Sequence, residues 1–160
     1  MTTSADFSTE EWETIVGTPP MVAMMTMAAS PGGLYREMFA HAQAIVDAQQ
    51  LFAGSPFMQS LFSSHAATSL DKRSTDLARK SFDEIRSETL AQCRSVIALL
   101  APKVSVEDLD HYKQYLYHVS DKVANAVSEG GFLGFGGKPV SEAEQTLLND
   151  LTALLGIQPS

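Results

Sequence analysis

Apolar residues recur at every third or fourth position along most of this chain, and this spacing constrains the fold more than any other feature. It gathers apolar side chains on one side of an α-helix, whereas a half-buried strand needs strict alternation. No segment shows a competing strand pattern. Together with helix start and stop signals, the spacing predicts an all-α bundle of about seven helices. A length of 160 residues is ordinary for one core, which predicts a single helical domain over 1–160.

Serine, proline and glycine residues mark the predicted helix boundaries. Serines followed three residues later by an acidic residue resemble capping boxes, and they stand at Ser8, Ser105 and Ser141. Pro19 and Pro20 are predicted to separate the first two helices, because proline removes a backbone donor. Gly156 is expected to cap the last helix. The predicted helices span about 8–17, 20–29, 34–53, 55–62, 72–100, 105–128 and 141–155.

Two of these helices carry apolar stripes that predict their buried faces. In the third helix the predicted stripe is Leu34, Met38, Ala42, Ile45, Gln49 and Phe52. In the fifth helix it is Ala78, Phe82, Ile85, Cys93, Val96 and Leu100. Cys93 is the only cysteine of the chain, so an internal disulfide is excluded, and its position on this stripe predicts a buried thiol.

The charge balance and the apolar runs exclude several classes of partner. Eleven Lys and Arg against nineteen Asp and Glu give a net charge of −8, which repels phosphate backbones and anionic lipid headgroups. We therefore expect no nucleic-acid partner. The longest apolar run, 21–29, is far shorter than the roughly 20 residues needed to cross a bilayer, so no membrane span is expected. Residues 1–11 show no export signal, and the cytoplasm is the expected location.

A glycine-rich segment at 130–138 is the most unusual local feature. A phosphate-binding loop requires a preceding strand and a Ser or Thr after the lysine, but here a helix precedes the segment and Pro139 follows Lys138. The segment carries three apolar side chains on a glycine chain: Phe132, Leu133 and Phe135. They are expected either to pack onto the core as a plug or to close as a lid over an apolar cavity.

The second predicted helix carries a cluster of methionines, and Met side chains fill cores and adaptable apolar pockets alike. Under the lid hypothesis, Met21, Met24 and Met25 line the cavity that the 130–137 segment covers. The predicted ligand-binding set is then Met21, Met24, Met25, Phe132, Leu133 and Phe135. Its ligand would be a small apolar or aromatic molecule.

Histidines spaced with carboxylates suggest a metal site. Glu37 lies four residues before His41, and His118 lies three residues before Asp121. Helical bundles build divalent-metal sites from such pairs when they face inward from adjacent helices. The alternative is that these residues face water, because the apolar stripe of the sixth helix points away from both His118 and Asp121.

Two segments resemble each other and a known family. Residues 28–34 align with 126–132 through shared Ala, Ser and paired Gly residues, as related halves of one fold would. Together with the ending Val140 to Glu144, followed by leucines up to Ile157, they resemble the TerB-like tellurite-resistance family. The resemblance implies a bacterial, cytosolic, all-helical protein with two pseudo-symmetric halves. It also implies a link to tellurite and general stress resistance without an established catalytic reaction.

The sequence pairs no nucleophile with a base, which favours a binding role over catalysis. The leading hypothesis is a non-catalytic, stress-associated binding protein that holds a small apolar ligand or a protein partner. The alternative is a helical metal-binding protein or metalloenzyme that uses Glu37, His41, His118 and Asp121. Whether the chain forms a homo-oligomer is left open.

Overall fold

The computed structural model describes residues 1–29, 34–65, 79–126 and 140–158, apart from the side chains of 34–37 and 65. Within these ranges the regular structure is entirely helical and contains no strand, so the all-α prediction is confirmed. A short 3₁₀ helix at Ser4–Asp6 precedes α1 (Thr9–Ala29), α2 (Leu34–Leu51), α3 (Pro56–His65), α4 (Phe82–Leu100), α5 (Val106–Asn125) and α6 (Glu142–Leu155).

Side-chain caps determine where most of these helices begin. The backbone N–H of Glu11 donates to Ser8 Oγ at 3.1 Å, and that of Glu144 donates to Ser141 Oγ at 3.2 Å. Each serine thereby satisfies a donor that the first helical turn leaves unpaired. Further serine caps form at Ser55, Ser81 and Ser105. At the other end of α6, Gly156 adopts φ 64°, the left-handed conformation of a glycine cap.

The two helices predicted on either side of Pro19 and Pro20 form one continuous helix, α1, so the predicted break is wrong. Pro19 has no N–H to donate to the carbonyl of Ile15, four residues earlier. The hydroxyl of Tyr112, on α5, donates to that carbonyl at 2.8 Å instead. Proline in the sequence predicted a helix end because it removes this hydrogen bond. A side chain from another helix supplies the bond instead, so the helix continues.

Helix α4 begins later than predicted, at Phe82 rather than near Lys72. Ser81 has an extended backbone and forms a full capping box with Glu84, whose carboxylate accepts from the Ser81 N–H at 2.7 Å. Residues 66–78, including Ala78 of the predicted stripe, lie outside the described ranges. Cys93 is buried, as predicted from the spacing of this helix.

The buried face of α2 differs from the predicted stripe. Of that stripe, Phe52, just after α2, is buried and Ile45 is half-buried as predicted, but Met38, Ala42 and Gln49 are exposed. The buried residues within α2 are His41, Ala44 and Ala48. This face packs against α5. Alanines one turn apart present little side-chain volume, so they allow two helices to approach closely. Packing thus selects the small-residue face of α2 and leaves larger apolar residues outside.

The hydrophobic core draws residues from all six described helices. Helix α1 packs against α4 and α5, and α6 packs against α1, α4 and α5. The largest fully buried side chains include Tyr112, Tyr115 and Phe57. Among the described helices, none combines the length and the hydropathy required to span a bilayer.

Candidate functional site

The interface between α2 and α5 contains two histidines that the sequence had singled out. His41 on α2 is only 8% exposed, and its Nε2 makes no hydrogen bond among the described residues. Burial lowers the pKa of His41, because a charged imidazole is poorly solvated there. His41 is therefore a neutral, largely apolar part of the helix contact at neutral pH.

His118 lies on the α5 side of the same interface and is half-buried rather than directed into water. Its Nε2 is 3.9 Å from Asp47 Oδ2 on α2, but Lys122 Nζ lies closer to that oxygen, at 3.2 Å. Burial and then the Lys122 charge lower the pKa of His118, while Asp47 and Asp121 act in the opposite direction. Lys122 is therefore the cation that pairs with Asp47, and His118 stays neutral.

The predicted metal ligands are only partly described. Asp121 accepts from Asn125 Nδ2 at 3.0 Å, and the side chain of Glu37 lies outside the described residues. Among the side chains that are described, no group of three or more His, Cys, Asp or Glu is arranged to hold a metal ion. The divalent-metal site that includes Glu37 stays a prediction.

Of the predicted ligand-binding residues, only the three methionines of α1 lie within the described ranges. Met25 is fully buried in the core, and Met21 and Met24 on the same helix are half-buried. Phe132, Leu133 and Phe135 lie outside the described residues, and so do most residues of the two glycine turns. The apolar pocket under the 130–137 segment and the pseudo-symmetric halves therefore stay predictions.

The outward side of α2 carries an apolar surface, which includes Met38 and Ala42 of the stripe predicted to face the core. Met38 is 49% exposed, Phe39 72% and Val46 46%, and Ala42 between them is also exposed. Positions 38, 42 and 46 follow one another at four-residue spacing, and 39 lies beside them, so all four share one side of the helix. We call this surface the outer stripe of α2 and define it as Met38, Phe39, Ala42 and Val46. The sequence signal for this surface is the pair Ala44 and Ala48. Two alanines one turn apart indicate a closely packed face, and the outer stripe lies on the opposite side of the helix.

Two open clefts meet where α2 ends, and Leu51 and Phe52 line both of them. One cleft, of about 570 Å³, lies between the ends of α2 and α6 and the middle of α5. The other, of about 520 Å³, lies between the end of α2, the start of α3 and the start of α5. His118 lines the first cleft and His111 the second, where the His111 ring lies 5.0 Å from the ring of Phe52.

Comparison with known proteins adds no assignment to this geometry. No protein-family model matches the chain, and it shows no significant similarity to a curated protein or to a solved structure. The resemblance to the TerB-like family therefore stays a prediction.

Proposed function

We propose that this protein is a non-catalytic binding module whose binding surface is the outer stripe of α2. The observation that carries the proposal is the exposure of Met38, Phe39 and Val46 on one side of a single helix. Isolated exposed apolar residues are ordinary, but large side chains grouped on one face are typical of interaction sites. The stripe has the spacing by which amphipathic helices recognise one another.

The shape of the stripe favours a protein partner over a small molecule. Small ligands bind in concave sites, whereas a helix face is convex. From Met38 to Val46 the helix rises by eight steps, or about 12 Å at roughly 1.5 Å per residue. Four side chains over this length cover less than the roughly 1,000 Å² expected of a stable interface. The proposed partner is therefore a single short amphipathic helix, bound weakly.

The charge of the protein favours a basic helix as that partner. The chain carries a net charge of −8, so a second copy would bring two like charges together. A helix with an apolar face and flanking Lys or Arg residues would be attracted from a distance and would then bury its apolar side chains against the stripe. The proposed occupant is consequently a basic amphipathic helix of another protein rather than a second copy.

A designed peptide tests this proposal without knowledge of the natural partner. A labelled leucine–lysine amphipathic peptide should bind the parent protein in a fluorescence-anisotropy titration, and the same peptide with glutamate in place of lysine should not. Phe39→Ser should weaken binding by at least about tenfold, because a buried aromatic ring contributes about 1.5–3 kcal/mol. Val106→Ser is the matched control, since Val106 is 86% exposed but lies at the start of α5.

Two results would overturn the proposal. If Phe39→Ser and Val106→Ser bound the lysine peptide equally, the outer stripe would not be the binding surface. If the glutamate peptide bound as tightly as the lysine peptide, the basic character of the partner would be wrong. Both variants replace exposed residues, so their melting temperatures should match that of the parent. A loss of binding can then be attributed to the surface and not to unfolding.

The TerB-like resemblance adds the proposal that this binding serves stress resistance. Bacteria that express the parent chain should then tolerate more tellurite than bacteria that express Phe39→Ser at the same level. Equal tolerance would show that the outer stripe has no role in tellurite resistance. It would not affect the conclusion from the peptide titration.

A further inference from the structure

The cleft between the ends of α2 and α6 has an electronegative rim. Leu51, the last residue of α2, lines it, and so does Gly156, the cap residue of α6. The C-terminus of a helix carries a partial negative charge of about half an electron, because its last carbonyls have no partner within the helix. Neither α2 nor α6 has a basic residue in its last turn to offset that charge.

Asp110 is the charged side chain that α5 contributes to this cleft. Gln114 Nε2 donates to Asp110 Oδ2 at 2.6 Å, which orients the carboxylate without neutralising it. Among the described residues, no Lys or Arg forms an ion pair with Asp110. Two other titratable groups line the cleft. Burial raises the pKa of Tyr117, and burial and Lys122 lower the pKa of His118, so both are neutral at neutral pH. The rim therefore attracts positive charge.

Part of the cleft wall is apolar and aromatic, beside the polar side chains that also line it. Leu51 and Phe52 form one side, and Tyr117 and Ile157 also line the space. Aromatic faces attract ammonium groups through their quadrupoles as well as binding apolar groups. A volume of about 570 Å³ lies within the usual range for sites that hold small organic molecules.

We propose that this cleft binds an amphiphilic organic cation, with an ammonium group near Asp110 and an apolar or aromatic body against Leu51, Phe52 and Ile157. The site shares no residue with the outer stripe of α2, so this proposal does not depend on the proposed function. The two can be distinguished because Phe39→Ser should leave cation binding unchanged.

A pair of isosteric probes tests the charge preference. In calorimetric titrations at low ionic strength, 2-phenylethylamine should bind the parent about tenfold more tightly than neutral 2-phenylethanol, since the two differ chiefly in charge. Asp110→Asn should weaken amine binding by about the same factor and leave the alcohol unchanged. Ile157→Ala should weaken both ligands, because it removes part of the apolar wall. Added salt should weaken the amine alone.

Asp83→Asn is the matched control for Asp110→Asn, because Asp83 is also an exposed carboxylate but lies in the first turn of α4. It removes the same overall charge without touching the cleft. Equal amine affinity in Asp110→Asn and Asp83→Asn would overturn the proposal, as would equal binding of amine and alcohol by the parent. Absence of saturable amine binding by the parent would also overturn it.

Discussion

The hydroxyl of Tyr112 on α5 donates a 2.8 Å hydrogen bond to the carbonyl oxygen of Ile15 on α1. In a regular helix the N–H of residue 19 would donate to the Ile15 carbonyl, but Pro19 has no N–H. Tyr112 is fully buried. Burial raises the pKa of Tyr112 well above its ordinary value, so the phenol remains protonated and able to donate. One side chain from another helix thus satisfies the carbonyl that Pro19 leaves without a helical donor.

Tyr112→Phe should therefore destabilise the fold by about 1–3 kcal/mol, because it leaves the buried Ile15 carbonyl without a donor. In a Pro19→Ala background the new N–H of residue 19 can donate to the same carbonyl, so Tyr112→Phe should cost less than about 1 kcal/mol there. Urea denaturation of the four proteins measures this coupling as a double-mutant cycle. An equal cost in both backgrounds would contradict the role assigned to Tyr112.

A charged side chain at position 93 should destabilise the protein. Its side chain is fully buried, and burial raises the pKa of its thiol to about 12. Cys93→Asp should lower the free energy of unfolding by several kcal/mol, about 3–5, since an unpaired carboxylate would be desolvated. Cys93→Ala is the size control and should lose only the small contribution of the sulfur. A melting temperature of Cys93→Asp close to that of the parent would show that the buried face of α4 is wrongly assigned.

Stability should fall on mild acidification through His41. Burial lowers the pKa of His41 in the folded protein, whereas in the unfolded chain a histidine has a pKa of about 6.5. The unfolded state therefore binds more protons as the pH drops through that value towards the lowered folded pKa. The stability that neutral His41 contributes is complete above about 6.5 and is lost below it, at no more than about 1.4 kcal/mol per pH unit.

Urea midpoints measured between neutral and mildly acidic pH check this dependence. His118 contributes in the same direction, because burial and Lys122 lower its pKa as well. His41→Gln should flatten the dependence without removing it, and adding His118→Gln should flatten it further. A slope in His41→Gln identical to that of the parent would show that His41 is solvated in the folded protein.

Elemental analysis of purified protein decides whether the four predicted ligands form a metal site. The proposed binding function needs no metal, so it predicts background metal only, with no difference between the parent and His118→Ala. Near-stoichiometric metal in the parent that is lost in both His118→Ala and Glu37→Gln would instead establish a site completed by Glu37. Thermal denaturation with and without a chelator provides the second measurement.

Three helix ends, at Ser8, Ser141 and Gly156, were predictable because their signals act within one turn. Ser8 bonds to Glu11 and Ser141 to Glu144, three residues away in each case, and Gly156 needs only its own backbone freedom. The burial of Cys93 was equally predictable, because α4 presents a single apolar stripe. Where one face is clearly apolar, local spacing suffices to identify the inner side.

The tertiary structure decided the features that local spacing leaves ambiguous. Helix α2 has two apolar faces, and its packing against α5 buried Ala44 and Ala48 while leaving Phe39 at the surface. Continuation of α1 through Pro19 depends on Tyr112, which lies 97 residues after Ile15 in the chain. The Lys122 and Asp47 pair likewise joins two helices. Sequence patterns determine interactions within one helical turn, whereas a donor, a close packing partner or a counter-ion from another helix is present only once the chain has folded.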